Sequence, residues 1–89
     1  MTEPEVRQAV LDIIERIAPD EELGDINDAE PIREQVDLDS MDFLDIVMEL
    51  RKIYGVEVPE EDYVELSTLE RSVAYLSPRM QDKELAAKV

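Results

Sequence analysis

Residues 38–55 read LDSMDFLDIVMELRKIYG and contain the clearest helix signals in the sequence. Asp39 or Ser40 supplies a side-chain oxygen of the kind that caps a helix start, and Gly55 is the residue type that most often follows a helix end. At 100° per residue, one broad face of this helix is apolar and is expected to face the core: Phe43, Ile46, Val47, Leu50, Ile53 and Tyr54. The stretch therefore predicts an amphipathic helix from Ser40 to about Tyr54.

Away from the core, the same helix carries a small apolar patch fringed by acids. The patch consists of Met41, Leu44 and Met48, and the acidic stripe beside it consists of Asp42, Asp45 and Glu49. An exposed apolar patch bordered by carboxylates is typical of a surface that docks a partner protein. The alternative is an ordinary solvated face, since isolated apolar side chains are common on protein surfaces. The residues alone leave both interpretations open.

Before this helix, the sequence predicts one more helix and a long loop. A capping box at Thr2 and Glu5 opens the first helix, and apolar residues then recur at helical spacing until Pro19. Residues 20–38 lose that spacing, which predicts an ordered loop that sends a few apolar side chains into the core. A loop of this length is unusual in a compact domain and tends to be functional or well packed.

After Gly55 the chain is expected to be extended for a few residues and then helical again. Pro59 is suited to the first position of a brief helical turn. A capping box formed by Ser67 and Glu70 predicts a last helix that ends at Leu76, before Pro78. Residues 77–89 contain little core material and are expected to be a frayed tail or a partial helix.

These elements predict an all-α fold. It is a small four-helix bundle, made of three main helices and one short helix, with the long loop between helices one and two. Residues 1–76 would form the domain and residues 77–89 the tail. At 89 residues the chain has room for a single small core. We expect it to be a monomer.

Histidine and cysteine are both absent from the sequence. Without them the chain has no disulfide, no imidazole or thiolate metal ligand, and no Ser-His-Asp or Cys-His catalytic group. The acidic run from Asp20 to Gly24 lacks the alternating ligands of a calcium-binding loop. We therefore expect no catalytic activity and no metal site.

The chain is strongly acidic, with 24 Asp and Glu against 9 Lys and Arg and a formal net charge of −15. This charge repels nucleic acids and anionic lipid head groups, and it attracts proteins that carry basic patches. The start of the sequence lacks the basic and apolar regions of a signal peptide, and no stretch is long and apolar enough to insert in a membrane. We therefore expect a cytoplasmic protein.

Ser40 has two possible roles. Asp39-Ser40 at a helix start fits a simple N-cap. A serine in the first turn also points its hydroxyl away from the core, and a phosphate bound there would lie near the positive end of the helix. Asp39 and Asp42 would repel such a phosphate, so their position favours recognition by a basic partner.

The segment Leu38-Asp39-Ser40-Met41-Asp42 resembles the attachment motif of acyl carrier proteins. Val58-Pro59-Glu60-Glu61 resembles the segment before that family's short third helix, and Leu66 to Leu76 resembles its last helix. The similarity runs from about Val6 to Leu76. It implies a stand-alone carrier with 4'-phosphopantetheine, taken from coenzyme A by a phosphopantetheinyl transferase and attached covalently to Ser40. Acyl groups would be held on this arm as thioesters.

The same resemblance implies two further sets of site residues. The positions that dock partner enzymes are Asp39, Met41, Asp42, Leu44, Asp45 and Met48. The positions around the acyl pocket are Val47, Leu50, Tyr63, Leu66, Ser72 and Tyr75. The partners implied are the transferase and acyl-transferring and condensing enzymes with basic docking patches, in fatty acid, polyketide or specialised lipid biosynthesis.

Three departures from the family pattern limit these expectations. Asp37 stands where a glycine is common, and Arg51 and Lys52 stand where carriers of general fatty acid synthesis often have acids. Tyr63 stands where carriers of long chains usually have a small residue, which predicts a restricted pocket for short or polar cargo. Two alternatives stay open: a small acidic helical adaptor with no prosthetic group, and a peptidyl or aminoacyl carrier.

Overall fold

The computed structural model describes residues 1–85 and confirms the small all-α bundle. Its elements are α1 (Glu3–Ile17), α2 (Ile32–Gln35), α3 (Ser40–Tyr54), a first 3₁₀ helix (Glu60–Leu66), α4 (Leu69–Leu76) and a second 3₁₀ helix (Ser77–Arg79). α1 packs against both α3 and α4, and the first 3₁₀ helix packs against α4. Within residues 1–85 the extended pairing is limited to one antiparallel bridge between Pro31 and Thr68.

α3 has the bounds that the sequence predicts, because both of its ends are fixed by local signals. Asp39 is the N-cap, and its carboxylate accepts a hydrogen bond from the amide of Asp42 at 2.8 Å. Gly55 ends the helix with φ of 68°, a left-handed conformation that glycine adopts without steric cost. The helix buries Ile46, Val47, Leu50 and Tyr54, with Phe43 and Ile53 partly buried beside them.

The long loop between α1 and α3 is pinned to the bundle at several points, and it contains a helix that the sequence did not predict. Arg7 of α1 makes two hydrogen bonds to the Asp28 carboxylate, at 2.8 and 3.0 Å. The backbone amide of Glu70 in α4 donates to the Asp28 carbonyl oxygen at 2.9 Å. The one-turn helix α2 follows, and its Ile32 is buried. These contacts explain how so long a segment stays ordered.

The start of α4 differs from the predicted capping box. Thr68 is the N-cap, and its side chain accepts a hydrogen bond from the Arg71 amide at 3.0 Å. Ser67 instead ends the first 3₁₀ helix, where its amide donates to the Val64 carbonyl oxygen. Because the 3₁₀ helix extends over seven residues to Leu66, Ser67 is taken up by its end and the cap of α4 falls on the next hydroxyl residue.

Residues after Leu76 contribute more to the core than the sequence indicates. The short 3₁₀ helix Ser77–Arg79 agrees with the partial-helix alternative, but Met80 is fully buried and Leu85 packs against the core. Methionine fills irregular gaps in a core because its side chain is unbranched and adaptable. The predicted tail also includes residues 86–89, which lie outside the described part of the chain.

Candidate functional site

Ser40 is exposed at the first position of α3. The sequence has four serines, and the other three are covered to different degrees. Ser72 is 1% exposed and donates its hydroxyl hydrogen to the Thr68 carbonyl oxygen, whereas Ser67 and Ser77 are half-buried. Because Asp39 supplies the N-cap, the Ser40 hydroxyl is not needed to cap the helix. Ser40 is therefore the serine that another protein can reach.

Two carboxylates next to Ser40 hold the start of α3 in a reciprocal cap. The Asp42 amide donates to Asp39, and the Asp39 amide donates to an Asp42 side-chain oxygen at 3.2 Å. This arrangement satisfies two amides that a helix start leaves without a partner in the helix. Asp39 and Asp42 therefore stabilise the helix in addition to lending negative charge to the surface.

The surface beside Ser40 is the mixed apolar and acidic patch that the sequence indicates. Met41, Leu44 and Met48 are 74%, 46% and 61% exposed. Asp45 and Asp39 are exposed among them, and Asp42 is half-buried by its role in the cap. Five of the six predicted docking positions are thus exposed and the sixth is half-buried, at the start of α3 and along its first turns, and we call this set the docking surface.

The loop that leads into α3 does not need the glycine that carriers often have before the serine. Among residues 1–85 no residue other than glycine has a positive φ, and this includes Asp37. The Asp37 amide donates to a Glu21 side-chain oxygen at 3.1 Å, which ties this part of the loop to an earlier part. Asp37 is therefore accommodated without backbone strain.

An apolar cavity of about 280 Å³ lies in the bundle between α1, α3, α4, the first 3₁₀ helix and the segment around α2. Its volume is close to the lower end of the range for small-molecule sites. Most of its lining is buried and apolar: Val10, Ile14, Ile32, Leu38, Ile46, Leu50, Leu66 and Leu76. Such a lining favours hydrocarbon over polar groups.

The mouth of the cavity is identified by the lining residues that are also exposed. These are Pro31, Arg33 and Val64, from the segment around α2 and from the first 3₁₀ helix. Val64 is 56% exposed and extends the apolar surface at this edge. Arg33 and Val64 could not be predicted as site residues, because neither belongs to a sequence motif and only the folded chain brings their segments together.

Four of the six predicted pocket residues line this cavity. They are Leu50, Tyr63, Leu66 and Ser72. Val47 lies on another side of α3, where it lines a shallow surface groove with Met48 and Val58. The Ser72 hydroxyl is bonded to the Thr68 carbonyl oxygen at 2.7 Å, so this polar group already has a partner.

Tyr75 lies outside the cavity and forms a polar contact instead. Its hydroxyl donates to the Asp62 carboxylate at 2.7 Å, which joins α4 to the first 3₁₀ helix. Burial and this hydrogen bond together raise the pKa of the Tyr75 phenol above its ordinary value. The Arg79 guanidinium lies 3.8 Å from the centroid of the Tyr75 ring, on its face. A helical wheel cannot distinguish this outward contact from a position in the pocket.

The residues present fit a covalently attached phosphopantetheine arm. An exposed hydroxyl at a helix start can accept a phosphate, since the positive end of the helix favours an anion there. Leu38 and Phe43 flank Ser40 in sequence and both line the apolar cavity, so a shelter for hydrocarbon lies close to the attachment point. The arm would supply the thiol that this chain lacks.

Within residues 1–85 no group of three or more acidic side chains is placed to hold a metal ion. Across the same residues, none of the helices has the length and apolar character that crossing a bilayer requires.

Comparison with known proteins agrees with this geometry. The family model described as "Phosphopantetheine attachment site" matches residues 5–76. An acyl carrier protein of Lactobacillus johnsonii is 34% identical over 79 residues, which cover 85% of this chain and 94% of that protein. An acyl carrier protein of Rubrobacter xylanophilus is 32% identical over 73 residues, covering 79% of this chain and 90% of that protein.

A more distant relative has a more specific name. The "Meromycolate extension acyl carrier protein" of Mycobacterium tuberculosis is 27% identical over 88 residues, which cover 99% of this chain and 76% of that protein. No solved structure matches the chain at a comparable level of significance. The matched family model and the two bacterial relatives show that this chain belongs to the acyl carrier protein family, whose prosthetic group is covalently attached 4'-phosphopantetheine.

Proposed function

We propose that the chain carries acyl groups as thioesters on a 4'-phosphopantetheine arm attached to Ser40, and that it presents them to partner enzymes. In the attachment reaction the Ser40 Oγ gains a bond to the phosphate next to the pantetheine and loses its proton. The adenosine part of coenzyme A leaves with the remaining phosphates. The chain itself contributes a reachable hydroxyl, a surface that partners recognise, and a shelter for cargo, and we propose no catalytic step for it.

One observation carries this proposal: Ser40 is the exposed serine at the start of α3, next to Met41 of the docking surface, and the residues two positions before it and three positions after it line the cavity. A transferase must reach the hydroxyl, and a carrier must later offer the same arm to other enzymes or withdraw its cargo. A serine that only capped a helix would need neither the neighbouring patch nor the cavity.

We propose that the docking surface binds basic patches on the transferase and on acyl-transferring and condensing enzymes. Exposed carboxylates such as Asp45 speed encounter with a basic partner, and the effect weakens as salt screens the charges. The apolar side chains of Met41, Leu44 and Met48 would then be covered in the complex. Methionine side chains adapt to partners of different shape, which suits a carrier that meets several enzymes.

The proposed acyl pocket is the cavity lined by Leu50, Tyr63, Leu66 and Ser72. Burying each methylene of a chain gains about 0.8 kcal/mol, provided that space is open to receive it. The Tyr63 ring occupies part of the wall and packs against Phe43. We therefore propose that the carrier prefers short acyl groups.

For the pathway, we favour specialised lipid synthesis over general fatty acid or polyketide synthesis. Arg51 and Lys52 are exposed near the end of α3 and interrupt the negative surface that general fatty acid enzymes usually meet. The name of the mycobacterial relative also refers to a specialised lipid. The cytoplasmic location and the monomeric state stay predictions of the sequence.

An intact-mass measurement tests the attachment. The unmodified protein is incubated with coenzyme A and a promiscuous transferase, and the expected result is the addition of one phosphopantetheine. Ser40→Ala is the matched control, since Asp39 still caps α3 and alanine is favourable in a helix. This variant should fold and gain no mass. An unmodified wild-type chain would favour the adaptor alternative, and a modified Ser40→Ala chain would place the arm elsewhere.

A further inference from the structure

Arg33 differs from the other arginines in its contacts within residues 1–85. Its Nε donates to the Leu38 carbonyl oxygen at 3.2 Å, and no side-chain carboxylate of residues 1–85 lies within ion-pair distance of its guanidinium. Four of the other arginines pair with carboxylates: Arg7, Arg16, Arg51 and Arg71. Arg79 lies over the Tyr75 ring. Arg33 and Arg79 are thus the two arginines without a carboxylate partner in residues 1–85, and of the two only Arg33 lines the cavity.

The position of Arg33 relates it to Ser40. Arg33 lines the cavity at its mouth, and the same cavity is lined by Leu38 and Phe43, which lie two positions before and three positions after Ser40. The backbone from Leu38 to Ser40 spans at most about 7 Å. Since Arg33 Nε is bonded to the Leu38 carbonyl oxygen, the free N–H groups of the guanidinium are within reach of a phosphate on the Ser40 Oγ.

A phosphate on Ser40 would also need a cation nearby. The exposed carboxylates of Asp37 and Asp39 surround this position, and the Asp42 amide is already bonded to Asp39. The next arginine along α3 is Arg51, about 16 Å further along the helix axis. Arg33 is therefore the arginine placed to offset the local negative charge.

We propose that Arg33 binds the phosphodiester that joins Ser40 to the arm and holds the first part of the arm at the mouth of the cavity. A guanidinium is suited to this because its N–H groups match the spacing of phosphate oxygens. Arg33 is then a positioning residue for the arm. The inference rests on the proposed attachment to Ser40.

The test compares Arg33→Gln with Arg51→Gln, which removes the same charge at the far end of α3. Each protein is prepared with and without the arm, and the thermal midpoint Tm and the ³¹P resonance of the phosphodiester are measured at low and high salt. For Arg33→Gln, the Tm of the arm-bearing form minus that of the bare form should fall by about 2–5 °C at low salt, and less at high salt. Its ³¹P resonance should shift relative to the unaltered protein. Arg51→Gln should change neither the difference in Tm between the two forms nor the ³¹P resonance.

Arg33→Gln also removes the bond to Leu38, but this loss lowers the Tm of both forms equally. It therefore cancels in the difference between the Tm values of the arm-bearing and bare forms. Identical differences and ³¹P resonances in the Arg33→Gln and unaltered proteins would overturn the proposal. An effect of Arg33→Gln that appears only when a malonyl group is loaded on the arm would also overturn the proposal. Arg33 would then bind the malonyl carboxylate and not the phosphodiester. If the chain gains no mass when it is incubated with the transferase, the proposed attachment to Ser40 is itself wrong. Failure of the attachment and failure of the role of Arg33 are therefore distinguishable.

Discussion

The rings of Phe43 and Tyr63 meet edge to face, with their centroids 5.7 Å apart and their planes inclined at 68°. Phe43 belongs to α3 and Tyr63 to the first 3₁₀ helix, and both line the cavity. This aromatic contact joins the two elements beside the mouth. Edge-to-face pairs contribute about 0.5–1.5 kcal/mol beyond the area that they bury, so the contact favours a narrow cavity.

Tyr63→Ala should widen the pocket. We expect the arm-bearing unaltered protein to be stabilised by short acyl groups, with no further gain in Tm as the chain lengthens, because overpacking a core costs about 1–3 kcal/mol. In Tyr63→Ala the rise in Tm should continue to longer chains. Tyr63→Phe is the control, since it keeps the ring and removes only the hydroxyl. A steady rise with chain length in the unaltered protein would contradict the restricted pocket.

Asp45→Lys should slow association with the transferase. Asp45 is exposed on the docking surface and takes no part in the cap of α3, so the fold should be unaffected. We expect the association rate constant to fall about two- to fivefold at low salt and the difference to shrink as salt rises. Asp82→Lys, an equal change at another exposed site, is the control. Equal rates for Asp45→Lys and the unaltered protein at low salt would show that recognition uses a different surface.

Arg51→Glu with Lys52→Glu should make the chain a better substrate for general fatty acid enzymes. Both side chains are exposed, and the sole ion pair of Arg51 within residues 1–85 is a 3.6 Å contact with the exposed Glu57. Reversing their charge removes repulsion from basic partner surfaces, and specificity often depends on such repulsion. The pair Arg51→Gln with Lys52→Gln should give an intermediate gain in kcat/KM. No gain in either variant would mean that the basic pair does not select partners.

The Arg7–Asp28 pair should make stability depend on pH in the acid range. The hydrogen bond from Arg7 lowers the pKa of the Asp28 carboxyl below its ordinary value. A carboxyl with a lowered folded-state pKa contributes stability above its unfolded pKa of about 3.9 and loses it as the pH falls through the folded value. Both side chains are substantially exposed, so the contribution is about 0.5–1 kcal/mol.

Urea unfolding of Asp28→Asn between neutral and strongly acid pH measures this contribution. The variant should be less stable than the unaltered protein at neutral pH, and the difference should disappear at the acid end. Asp25→Asn, at an exposed position in the same loop, is the control for removing one negative charge. A difference that persists unchanged at low pH would mean that the Asp28 side chain stabilises the fold through hydrogen bonding or packing and not through its charge.

The elements that could be predicted from the sequence are those whose signals are local. The Asp39 cap, the Gly55 stop and the alternation of apolar and acidic residues fix α3 and its two faces, because each depends on residues within one or two turns of helix. The exposure of Met41, Leu44 and Met48 followed from the same spacing. The sequence also singled out Ser40 and, through the family resemblance, the prosthetic group.

Tertiary structure decided what depends on the packing of distant segments. The mouth of the cavity brings Arg33 and Val64 together, although about thirty positions separate them in the chain. Tyr75 bonds to Asp62 and so lies outside the cavity, and Met80 enters the core from a segment without a helical pattern. A helical wheel gives the direction of a side chain from its own axis. Which neighbour that side chain meets depends on how the helices pack, and this is settled only when the whole core is filled.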